Sequence, residues 1–140
     1  MIAYFDTSAV IPLLIEEPGS EVASSLWAKA DRLLSVRVMY PEAHAALAQA
    51  ERNDRISRRQ LRAIVSELRS LLIQIDHIEI TEQLADRAGS IAERHRLRGY
   101  DAIHLSAAER VGTEQLVVVA GDSNLLRGAR ELGLKTAQIG

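Results

Sequence analysis

Cysteine is absent from the 140 residues, which excludes disulfides and thiolate metal sites and makes the reducing cytoplasm the expected home. No apolar run approaches the roughly twenty residues that a membrane helix requires. The N-terminus has no basic segment leading into an apolar stretch and a cleavage site, so no export and no membrane contact are expected. Aromatics are scarce, with one Trp, one Phe and three Tyr. Stacking on bases is therefore not expected to be the main grip on nucleic acid, and backbone contact is the better expectation. Lysine is nearly missing: fifteen of the seventeen basic residues are Arg, and the formal net charge is −2. A slightly negative chain is poorly suited to sequence-independent binding of nucleic acid, which is largely phosphate neutralisation.

What is present softens that objection. Arg52, Arg55, Arg58, Arg59, Arg62 and Arg69 cluster mid-chain, and Arg94, Arg96 and Arg98 precede Asp101. Arginine's planar fork matches phosphate oxygens, although an Arg-rich helix is also an ordinary solvated face. Phosphate contact is more to be expected of Arg96 and Arg98 than of the mid-chain cluster, because they lie beside an acidic residue of interest.

A chain of this length can remove roughly two-thirds of its unfolded surface from water, enough for one core without staples, and residues 1–140 are expected to form a single domain. Strands are predicted at 2–5, 33–36, 73–80, 116–120 and 137–139, and helices at 7–15, 20–30, around Glu42, from Ser57, from Thr81 to about His95, from Asp101, and at 123–132. Pro41 fits the first turn of its helix. Asn53-Asp54 and Ser57 mark a helical hairpin. Strands alternating with helices favour a parallel sheet covered on both faces.

Four acids stand out. Asp6 follows IAYF and Asp122 follows LVVVAG, each ending an apolar run and preceding a helical pattern, so both belong at the carboxyl edge of the sheet, where open α/β folds bind ligands. Asp101 opens DAIHLSAAERV. Capping is the plain alternative for all three, since Asp is a favoured N-cap. Glu42 has no capping role. It borders an apolar helical stripe of Met39, Ala43, Ala46, Leu47 and Ala50, where a carboxylate needs a partner or a route to water. Two carboxylates about 4 Å apart repel by roughly 4 kcal/mol at an effective dielectric near 20, so converging acids must protonate or bind a cation. Oxygen donors select Mg²⁺ or Mn²⁺. Zinc is disfavoured, because His44, His77, His95 and His104 lack ligand spacing and no thiolate joins them. His104, one turn after Asp101, has an outer-shell role open to it, but a satisfied helix histidine is the simpler reading, as for His44.

FDTSAV at 5–10, the isolated Glu42 before AHAALAQA, RGYDAIHLSAA at 98–108 and VVVAGDSNLL at 117–126 resemble, in that order and spacing, the PIN-domain ribonucleases, and the length resembles the VapC toxins of bacterial toxin–antitoxin pairs. The last block departs from many relatives by carrying Gly121 where a hydroxyl residue precedes the Asp. The resemblance implies a three-layer α/β/α fold with five parallel strands in the order 3-2-1-4-5. It implies an endoribonuclease in which Asp6, Glu42, Asp101 and Asp122 hold Mg²⁺, with Mn²⁺ as a substitute, and in which Ser8 is a secondary hydroxyl of the site. It also implies an RNA substrate, a VapB-like antitoxin that covers the acidic cleft and represses the shared operon, and a homodimer. Val10, Leu14, Val22, Leu26 and Trp27 are candidates for that interface, with the core as the simpler destination of most.

Rival readings fit less well. A phosphoacceptor receiver requires paired acids after the first strand and a late Lys, but Asp6 stands alone and Lys29 and Lys135 are misplaced. A haloacid-dehalogenase-type phosphatase requires Asp-x-Asp, and Ser8 stands where the second Asp belongs. No credible Ser/His/Asp nucleophile exists. A non-catalytic PIN-fold module that binds RNA or protein is the remaining alternative.

Overall fold

Alternation along the first strand, β1 (Ile2–Phe5), shows how the sheet is covered. Tyr4 joins the core on one face, and Ala3 and Phe5 join the core on the other. The computed structural model describes residues 1–140. The remaining strands are β2 (Arg32–Val36), β3 (Asp76–Ile78), β4 (Leu116–Ala120) and β5 (Lys135–Gln138); the helices are α1 (Thr7–Leu14), α2 (Ser20–Lys29), α3 (Met39–Arg52), α4 (Arg58–Ile73), α5 (Glu82–His95), α6 (Gly99–Val111) and α7 (Ser123–Glu131). All pairings are parallel and the order is β3-β2-β1-β4-β5, as the resemblance implied. A sheet buried on both faces must carry apolar residues at both parities: in β4, Leu116, Val118 and Ala120 enter the same core as Tyr4, while Val119 enters the core of Phe5. Helices α5, α6 and α7 cover the first face, and α1 to α4 the second. No helix is long and apolar enough to cross a membrane.

Local signals account for most boundaries. Ser57 and Gln60 form a reciprocal capping box at the start of α4, and Thr81 caps α5 through the Leu84 amide, each satisfying N–H groups that a helix start leaves unpaired. Asp54, at φ 60°, closes the hairpin between α3 and α4. Close approach of α7 to α6 requires Gly128, where a Cβ would stand 2.6 Å from Leu97 Cδ1 and 3.0 Å from Leu105 Cδ1.

The strand expected over 73–80 is a correction. Helix α4 runs through Ile73, and only Asp76–Ile78 pair with β2. Alternating isoleucines resemble a strand, but the 3.6-residue stripe of α4 continues through Leu72, and β2 offers only three register partners, Leu34, Ser35 and Val36. Ile73 is left 87% exposed. Helix α6 likewise begins at Gly99, before Asp101. Of the apolar residues of α1 and α2, Val10 is buried, Leu14, Leu26 and Trp27 pack against the core, and Val22 is exposed.

Candidate functional site

The carboxyl edge of β1 and β4 collects Asp6 and Asp122, because each strand runs directly into a helix whose first amides need an acceptor. Asp6 caps α1 through the Ser8 amide at 3.1 Å, and Asp122 caps α7 through Asn124 and Leu125 at 2.9 and 3.1 Å. Capping and site-forming are therefore the same placement for these two. Asp101 does not cap. It lies in the first turn of α6, and the N-cap Arg98 makes no side-chain capping bond. Glu42 enters from the first turn of α3.

The four acids stand as two pairs, each drawn together by a basic side chain. His104 Nε2 donates to Glu42 Oε1 at 2.7 Å and lies 3.3 Å from Asp6 Oδ1. Oxygens sharing one ring nitrogen can be no further apart than those two distances combined. The Tyr4 hydroxyl holds Nδ1 at 2.9 Å, and Thr7 donates to Glu42 at 2.7 Å. Arg98 spans the second pair, with Nε donating to Asp101 at 2.9 Å and Nη2 to Asp122 at 3.0 Å. Ser8 links the pairs: its hydroxyl donates to Asp6 Oδ2 at 2.5 Å and accepts from the Gly121 amide at 2.9 Å, one residue before Asp122. Gly121 thus takes part through its backbone where a side-chain hydroxyl was missed.

Charge coupling runs across the whole group. Burial pushes the Asp101 carboxyl up, and Arg98 opposes this while Asp122 and Asp6 add to it. Burial also pushes Glu42 up, but the His104 hydrogen bond and charge, with Thr7 and Arg98, outweigh it and leave Glu42 below its ordinary value. His104 is 1% exposed. Burial favours its neutral form, yet Glu42, Asp6 and Asp101 together raise it above the usual histidine value. Arg98 is raised by Asp101, then Asp122, and more weakly by Asp6. The anionic edge thus holds two basic partners of its own, Arg98 and His104, whose protonated forms the acids favour.

No three Asp, Glu or His side chains are gathered closely enough, as they stand, to hold an ion. The donor set nevertheless fits a hard divalent cation: four carboxylates and two hydroxyls, without sulfur, at one edge. Arg98 marks where positive charge is demanded, and its side chain is 74% exposed, so it can leave for water at small cost.

His104 is the residue that sequence reasoning undervalued. It lies three residues after Asp101, hence on the same face of α6, and it is hydrogen-bonded to Glu42 and in ion-pair range of Asp6 rather than merely satisfied. Arg98 lies within the cluster, not just beside it. Arg96 instead ends α5 in a left-handed conformation, φ 55°. His44 packs edge-on to Tyr40 at 4.5 Å with Nε2 unpartnered, apart from the acids. Arg58, Arg59, Arg62 and Arg69 form an exposed row on α4, while Arg55 pairs with Glu17.

Comparison with known proteins gives a consistent result. The family model described as PIN domain matches residues 3–131. Ribonuclease VapC45 of Mycobacterium tuberculosis (strain CDC 1551 / Oshkosh) is 40% identical over 136 residues, 97% of this chain and 94% of that protein. The crystal structure of PAE2754 from Pyrobaculum aerophilum superposes with a TM-score of 0.71 at 24% identity, covering 97% of this chain and 89% of the other. VapBC2 from Rickettsia felis, bound to a DNA fragment from its promoter, superposes at 0.69 with 14% identity over the full length of both chains.

Proposed function

Because the chain belongs to the PIN-domain family and its VapC-type toxins, we propose that residues 1–140 act as one PIN domain, a Mg²⁺- or Mn²⁺-dependent endoribonuclease of the cytoplasm. The observation that carries this reading is that Asp6 and Asp122, at the switch between β1 and β4, are tied to the two other acids from separate elements, Asp6 to Glu42 through His104 and Asp122 to Asp101 through Arg98. The ribonuclease names of relatives up to 40% identical support the reaction class.

Asp6, Glu42, Asp101 and Asp122 would hold the cation, with Ser8 as a secondary hydroxyl of the site. When bound, the cation lowers the pKa of water for in-line attack on phosphorus and neutralises the leaving 3′ oxygen. His104 keeps Glu42 and Asp6 oriented from behind, as outer-shell partners of carboxylates do. Ser8 and Thr7 orient their acceptor oxygens. Arg98, once free of Asp101 and Asp122, presents a fork to a phosphate entering the same edge.

The partner follows from the toxin class. A VapB-like antitoxin would cover the acidic cleft and, with the toxin, repress their operon; the VapBC2 pair of Rickettsia felis on its promoter DNA is the structural precedent. A homodimer is part of the same proposal. One observation favours a second reading, a non-catalytic PIN-fold module that binds RNA or protein: each of the four acids already lies against a basic side chain, Arg98 or His104.

Turnover separates the two. Purified, antitoxin-free protein is incubated with RNA and Mn²⁺ or Mg²⁺, in parallel with EDTA and with the Asp6→Asn and Asp101→Asn variants. Cleavage by the wild type alone, lost in EDTA and reduced about 100-fold or more in the variants, is expected. Cleavage that survives chelation and both substitutions refutes the metal reading, and no cleavage by folded, metal-loaded protein selects the binding module. In cells, expression should arrest growth and co-expression of the antitoxin should relieve it.

A further inference from the structure

A recess of about 420 Å³ adjoins the acids, lined by Thr7, Val38, Pro41, Glu42, Ala45 and Tyr100. Val38, Pro41, Glu42 and Ala45 recur at helical spacing, so the recess is one face of the start of α3 opposed by Tyr100 at the start of α6. Glu42 and Thr7 belong both to this recess and to the His104 cluster. Its far wall is the residue between Gly99 and Asp101.

Tyr100 is 60% exposed and is the only exposed aromatic: Tyr4 and Phe5 are buried, and Trp27 and Tyr40 are half-buried. A single exposed apolar side chain is ordinary. This one, however, lines an apolar recess that reaches the acidic edge at Glu42, and it lies two residues along the chain from Arg98, whose guanidinium holds Asp101 and Asp122 at the same edge. Arginine, an aromatic ring and an apolar floor are the groups that hold a splayed-out base and its phosphate.

We propose that this recess is a nucleobase subsite, in which one unpaired base of an RNA strand stacks on Tyr100 over Pro41 and Val38 and thereby sets which phosphodiester faces the acids. The proposal rests on the ribonuclease reading and adds to it a residue that chooses the position of cleavage. Glu42 and Thr7, hydrogen-bonded to each other at the inner end, mark where the recess meets the acids.

The test is binding of a fluorescein-labelled single-stranded hexaribonucleotide to the full chain, in EDTA and at low salt so that no turnover intervenes. The same oligonucleotide carrying one base-free position, moved along the strand, is the second probe. Tyr100→Ala is expected to bind the intact RNA about tenfold more weakly, while Tyr100→Phe and Tyr100→Trp stay within about twofold. One base-free position should cost the wild type the same factor and cost Tyr100→Ala nothing further. Equal binding by Tyr100→Ala and the wild type overturns the proposal, as does an undiminished base-free penalty in Tyr100→Ala. Melting temperatures within a few degrees of each other show that the variants are folded, as expected for an exposed side chain. Mn²⁺-dependent cleavage by the wild type is scored separately. Cleavage that shifts position along the strand in Tyr100→Ala supports the proposal, and cleavage indifferent to Tyr100 overturns it alone. A Tyr100-dependent grip without any cleavage overturns the ribonuclease reading instead.

Discussion

Deleting the guanidinium of Arg98 should tighten divalent-cation binding. Arg98 holds Asp101 at 2.9 Å and Asp122 at 3.0 Å, so a cation that takes both carboxylates must displace it. The side chain is 74% exposed, which places each bridge on the scale of exposed ion pairs, about 0.2–1 kcal/mol, rather than that of a buried pair. Two bridges then oppose the cation by roughly 0.5–2 kcal/mol, a factor of about 2 to 30 in Kd. Calorimetric titration of Mn²⁺ into metal-stripped Arg98→Ala should show that gain over the wild type. Arg98→Lys should fall between, since a point charge cannot fork across two acceptors. Added salt should narrow the gap, because it screens exposed bridges. Unchanged or weaker Mn²⁺ binding in Arg98→Ala refutes the competition, and makes Arg98 a scaffold of the acids instead of their placeholder.

Other changes have equally direct readings. Ser8→Ala removes the hydroxyl that joins Asp6 to the Gly121 amide; it should cost about 1 kcal/mol of stability and weaken Mn²⁺ binding about tenfold, and a variant matching the wild type in both contradicts the bridging role. His104 has a raised pKa when folded, so its contribution is complete below the unfolded value near 6.5 and is lost as pH rises through the folded value. In EDTA, the advantage in melting temperature of the wild type over His104→Gln should shrink as pH rises above the unfolded value near 6.5; an advantage that is flat or grows rejects a protonated His104. Leu105→Ala, in the core where α6 meets Gly128, should destabilise by about 2–5 kcal/mol in denaturant melts. Mn²⁺ affinity at temperatures where it remains folded should be unaltered, which separates packing from the site.

Asp6 and Asp122 were legible because their signal is local: an apolar run of strand length, then a helix start whose free amides call for an acidic acceptor. Thr81, Ser57 and Pro41 belong to the same class, since a cap or a first-turn proline is decided within about four residues. The 73–80 segment failed for a related reason. Its alternation is compatible with a strand, but whether a short apolar run pairs or prolongs a helix depends on the partner strand, and β2 has room for three residues.

Composition, periodicity and the order of four acidic blocks are enough to place this chain in an α/β architecture, with Asp6 and Asp122 at one sheet edge, since those properties are written along the backbone in nearest-neighbour preferences. Charge balance at that edge is decided only in three dimensions. Residue 98 meets residue 122, and residue 104 meets residue 42, through crossovers that bring α3, α6 and β4 to one edge of the molecule. Electrostatic energy depends on separation in space and on exclusion of water, neither of which is set by distance along the chain. The place of His104 as the buried partner of Glu42 and Asp6, that of Arg98 as the exposed counter-ion of Asp101 and Asp122, and the recess under Tyr100 are therefore properties of the folded molecule.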